Sequence, residues 1–183
     1  MVDGLNAFLG LRHVTLTLAP DTVVDVAALQ RGSWVEALEL PGLGRELLEG
    51  LSFSTSPVLE AWLLNERRHI HAASQALLRE AALGLLGMGQ PQRATDAAAR
   101  LIALDPLNEN GHALLIQSYL AAGDRSAAEA QAEACRKLLQ NELGVEPGPA
   151  ITSALAAGSS ETPATRETDP SALEAKRESA EGM

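Results

Sequence analysis

The sequence predicts an all-α protein: two tandem helical hairpins stacked as right-handed repeats. Three observations point there. Apolar residues recur at three- and four-residue steps, the period of one helix face. Glycine and proline fall between the apolar runs, where helices start and stop. The chain is 46% hydrophobic yet holds only two Trp, one Tyr and two Phe, so its interior must be Leu, Ala, Val and Ile on closely approaching helices. That composition favours helix on helix over a sandwich of sheets. A length of 183 residues suits one domain with flanking segments, and one core is expected.

The elements follow in chain order. Residues 13–18 (HVTLTL) alternate polar and apolar, Ala19, Pro20 and Asp21 form a turn signal, and Val23 to Val26 is β-branched, which together read as a short β-hairpin. Ala27 to Leu51 is broken by Gly32, Pro41, Gly42, Gly44 and Gly50 and reads as one or two short helices. A sustained helix then starts with Ser56 as N-cap and Pro57 at the first helical position, where a missing N–H costs nothing. Leu59, Leu63, Ile70, Ala73, Leu77, Ala81 and Leu85, with Trp62 as a buried anchor, form its stripe, and Gly87 and Gly89 end it. Helices are expected over 92–104, 108–122 and 125–143, and a weaker one over 149–157. Residues 158–183, rich in Ser, Thr, Glu, Pro and Ala, hold almost no large apolar side chain to offset ordering entropy and read as a disordered acidic tail. The resulting division is 1–26, 27–157 and 158–183.

An internal repeat organises the middle. Aligning Gly89 with Gly123 sets an offset of 34 residues, at which Leu85 falls on Tyr119, Ala94 on Ala128, Ala98 on Ala132, Leu101 on Cys135 and Leu104 on Leu138. Helix, tight glycine turn, helix at this period is the tetratricopeptide signature, with small residues where paired helices approach. Stacked pairs leave a groove able to take a partner helix or peptide. Leu115, Tyr119 and the faces near Ala94 and Ala98 are the candidate lining, though each suits a core equally well.

Several functions are disfavoured. A formal charge of −10 opposes non-specific DNA binding, which relies on Lys and Arg displacing counterions. Arg67, Arg68, Arg79, Arg93, Arg100 and Arg125 lie among acidic residues without stacking aromatics, so a solvated face is the favoured reading. Glu66 and Arg67 are candidates for pairing across helices. His69 and His71 point roughly 200° apart on a helix and cannot share one ion. Cys135, the lone cysteine, forms no internal disulfide and sits on a small apolar stripe, as an inert packing thiol does. No phosphate-binding glycine loop and no HExxH occurs. The expectation is a protein with no catalytic, metal or cofactor site, and no membrane span or signal peptide, hence cytoplasmic.

Three stretches carry a family resemblance. GRELLEGLSFSTSPVLEAWLLNERRHI, from Gly44, sets a Gly, Leu-Leu, Gly turn before Trp62 and Glu66-Arg67. AARLIALDPLNENGHALLIQSYLAAGDRSAA holds the Asp105-Pro106 turn and the small-residue turn after it. AEACRKLLQNELGVEP ends at Pro147 in the most specific piece, Glu142 to Pro147. From about Val23 to Leu155 the chain resembles the bacterial transcriptional activator domain of antibiotic-regulator-type transcription factors. The resemblance implies a regulatory module that binds a protein, such as RNA polymerase or another regulator domain, or a second copy as a homodimer. In that family a winged helix precedes the helical domain, and residues 11–26 resemble its last wing strand and linker. Without the recognition helix, this chain alone is not expected to bind DNA. The stretch between Val26 and Gly44 is shorter than the family's, and Ala132 replaces a common Tyr. A generic tetratricopeptide-like scaffold unconnected with transcription is the alternative.

Overall fold

The structure is a computed structural model that describes residues 17, 19, 22, 24–40 and 42–157. Seven α-helices and no strand occur among the described residues: α1 (Asp25–Arg31), α2 (Trp34–Leu38), α3 (Pro57–Gly87), α4 (Pro91–Leu104), α5 (Glu109–Ala121), α6 (Arg125–Leu143) and α7 (Pro149–Ala157). Most of the expected first strand and the expected tail over 158–183 lie outside the described residues. The Thr22 N–H donates to the Ala19 carbonyl at 3.0 Å, as the turn signal there requires. Asp25 and Val26, read as the end of a second strand, instead open α1. An acidic residue at a helix N-terminus favours the helix, and burial of Ala28 and Leu29 outweighs the local β preference of valine.

The chain forms two compact units, divided after Pro106, where its length had pointed to one core. In the first, α3 and α4 form an antiparallel pair, and α1 and α2 pack on α3. Ser33 caps α2 by accepting from the Glu36 N–H at 3.4 Å. Pro57 opens α3 as expected, but the Ser56 side chain makes no cap bond. Glu60, in the first turn, instead accepts from the Phe53 N–H and ties the incoming loop to the helix. Leu63, Ile70, Leu77, Ala81 and Leu85 are buried, and Ser74, Leu78 and Ala82 widen the stripe. Trp62 departs from expectation: it is 40% exposed. Trp34 of α2 packs against the long helix instead, its Cζ2 only 2.8 Å from where a Cβ on Gly84 would stand.

In the second unit α5 packs on both α6 and α7. Ile116, Ala128, Cys135, Leu139, Ile151 and Ala154 form its buried centre. Asn108 caps α5 through Asn110 and Gly111, and Asp124 caps α6 through Ala127. The weakly signalled α7 is thus a full participant in this core. Its approach is held by Glu109, whose carboxylate accepts from the Gly148 N–H at 2.6 Å.

Both hairpin turns close with the same hydrogen bonds. Gly89 N–H donates to Leu86 C=O at 3.0 Å and Gln90 N–H to Leu85 C=O at 2.9 Å. Gly123 N–H donates to Leu120 C=O at 3.0 Å and Asp124 N–H to Tyr119 C=O at 2.9 Å. This pair of bonds is the Schellman motif, which needs a left-handed residue at the glycine. Gly89 has φ +67° and Gly123 φ +80°.

Candidate functional site

Three of the four candidate groove residues are buried. Ala94 and Ala98 have no exposed surface on α4, and Leu115 is buried on α5. Tyr119 is half-buried and packs against the centre of the second unit. A side chain without accessible area makes no contact with a partner unless the fold opens, so Ala94, Ala98 and Leu115 act here in packing, while Tyr119 keeps part of its surface accessible.

Arg67, on α3, has several polar partners among the described residues of the first unit. Its guanidinium pairs with Glu46 at 2.7 Å, in the loop ahead of α3 rather than on a neighbouring helix. It also donates to the carbonyls of Leu47, Leu48 and Leu51 at 2.9, 2.8 and 3.0 Å. Its planar fork of donors suits several fixed acceptors at once. The loop it holds contains Leu48 at φ +50°, a left-handed conformation that is costly for a β-carbon-bearing residue. Arg100 of α4 reaches the Leu38 and Leu43 carbonyls at 3.5 Å. Arg67 and Arg100 therefore depart from the expected solvated face and serve as ties between loop and helices. The sequence signal for this role was the set of orphan carbonyls that the glycine-broken stretch 44–51 had to satisfy.

Beside these ties an open groove of ≈ 730 Å³ runs between residues 44–46, α3 and the end of α4. Arg45, Arg68, His71, Leu64 and Leu104 line it. Gly44 lets the loop approach closely, since a Cβ there would lie 3.0 Å from Leu104 Cδ2. His71 Nε2 is 3.2 Å from the Leu104 carbonyl oxygen.

No group of three or more His, Cys, Asp or Glu side chains suited to a metal occurs among the described residues. Cys135 is fully buried, and burial, with a smaller push from Glu109, raises its thiol above the usual range. A thiol so held is a poor nucleophile. No helix among the described residues is long and apolar enough to cross a membrane.

A family model described as the bacterial transcriptional activator domain matches residues 22–157. The chain belongs to that family. The match takes in all seven helices of this bacterial transcriptional activator domain and closely follows the span expected from its motifs. It includes no DNA-binding domain. Comparisons with curated proteins and with solved structures gave no match. Within the domain, the Glu142–Pro147 motif ends α6 at Gly144, whose φ of +69° lets its N–H reach the Gln140 carbonyl at 3.1 Å. The Asp105-Pro106 motif marks the boundary between its two units.

Proposed function

We propose that this bacterial transcriptional activator domain is a non-catalytic regulatory module that acts by binding a partner protein or a second copy of itself. Its helices belong to tetratricopeptide-like repeats, and it works in the cytoplasm as part of a transcriptional regulator. The observation that carries this reading is the recurrence of one turn at a 34-residue offset, with matched hydrogen bonds at Gly89 and Gly123, inside a transcription-regulator family. Repeats of this kind present extended surfaces suited to polypeptides. With a net charge of −10 the chain has little means of holding duplex DNA by its phosphates.

Multi-angle light scattering tests the proposal, on the chain alone and mixed with polymerase subunits or a winged-helix domain. A dimer, or a complex of defined stoichiometry, is the expected result. A monomer that joins none of these proteins and instead binds duplex DNA at physiological salt overturns it.

A further inference from the structure

The groove beside Arg67 combines two features, uncommitted cations and an exposed apolar side chain. Arg67 is spent on Glu46 and three carbonyls. Arg45 and Arg68, on the same groove, are exposed and form no ion pair among the described residues; Arg68 reaches only the Leu64 carbonyl, one turn away, at 3.3 Å. On the same groove Leu64 leaves 47% of its surface in water. Since Glu46 is neutralised by Arg67, the groove carries surplus positive charge on a chain of net charge −10. Screening over about 8 Å at physiological salt means that a bound segment feels these arginines, and the Asp25 and Glu49 carboxylates that share a neighbouring pocket with Arg45, more than charges elsewhere on the chain. A bare phosphate would leave Leu64 wet, and single-stranded nucleic acid would find no Phe, Tyr or Trp ring for its bases among the lining residues. A polypeptide with carboxylates around one apolar side chain satisfies both features.

We propose that this groove docks an acidic polypeptide segment, its carboxylates pairing with Arg45 and Arg68 and its apolar anchor seated on Leu64 and Leu104. The proposal deepens the reading of the domain as a protein-binding module and rests on it. The groove's ≈ 730 Å³ lies within the range of about 300–1,000 Å³ usual for ligand sites.

The test is fluorescence anisotropy of the full chain with a fluorescein-labelled octapeptide of Asp and Glu around one central Leu. The Arg45→Glu/Arg68→Glu variant should bind at least roughly tenfold more weakly, because each attraction becomes a repulsion. Arg79→Glu/Arg93→Glu, which changes the net charge equally at exposed sites, should bind as the parent does. Leu64→Asn, or a peptide with Ser in place of Leu, should also weaken binding. Equal losses in both double variants, no loss in the first, or displacement of the peptide by duplex DNA at 150 mM salt (about physiological ionic strength) would overturn the proposal. Light scattering with partner proteins separates the two levels: complexes that survive Arg45→Glu/Arg68→Glu remove the groove from the account and leave the module reading standing.

Discussion

Replacing Gly84 by alanine sets helix propensity against packing at a single atom. In an ordinary helix interior, alanine is favoured over glycine by about 1 kcal/mol. Here the new methyl would stand 2.8 Å from Trp34 Cζ2 and 3.3 Å from Cε2, inside van der Waals contact with a rigid ring. Overpacking of this kind costs about 1–3 kcal/mol, so Gly84→Ala should be neutral to destabilising by about 2 kcal/mol. In a Trp34→Leu background the ring is gone, and the same substitution should stabilise by about 1 kcal/mol. The coupling between the two sites is then about 1–3 kcal/mol, measurable by a double-mutant cycle of urea melts followed by far-UV circular dichroism. If Gly84→Ala stabilises the parent chain, or the coupling is near zero, the Trp34 ring does not rest on α3 as described and the reasoning fails.

Other consequences follow from the polar ties and turns. Arg67→Ala should free the 45–51 loop at a cost of about 2 kcal/mol, since charged donors to three carbonyls are lost from a partly exposed site. Hydrogen exchange at the Leu51 amide, bonded to Leu48, reads this directly, and Arg67→Lys should restore only part of the protection because an ammonium lacks the planar fork. Gly89→Ala and Gly123→Ala should each cost about 1 kcal/mol in thermal melts, through the same positive φ. Unequal costs would show that the two turns are not physically equivalent. The Arg136 hydrogen bond, opposed by desolvation and aided by Lys137, lowers the Glu133 carboxyl from 4.5 to about 2. A depressed folded value gives a stabilising contribution that is complete above the unfolded value and lost as pH falls from 4.5 towards 2. Carbon-13 titration of Glu133 checks the value, and Arg136→Gln should move it upward.

Much of the fold was legible because helices are local objects. Pro57, Pro91, Asn108 and Asp124 mark starts, and Gly89, Gly123 and Gly144 mark stops, through bonds spanning at most five residues. The long helix and both hairpins therefore emerged from spacing alone. Asp25 and Val26 were misread because β-branching is a weak preference that burial of Ala28 and Leu29 overrides. Trp62 was misread for a related reason: helical period assigns a face but not what covers it, and its edge of the stripe stays 40% exposed.

By itself the sequence determined helix content, the positions of the glycine turns, the 34-residue register and the family, all encoded in residues close together along the chain. Only the tertiary structure decided that Trp34 rather than Trp62 packs on α3, that Arg67 is spent on Glu46 and three carbonyls, and that Ala94, Ala98 and Leu115 are interior. Arg67 and the Leu47 carbonyl lie 20 residues apart, and Trp34 and Gly84 farther still. Such pairings depend on how elements meet in space, and no short-range period records which side of a helix its neighbour will take.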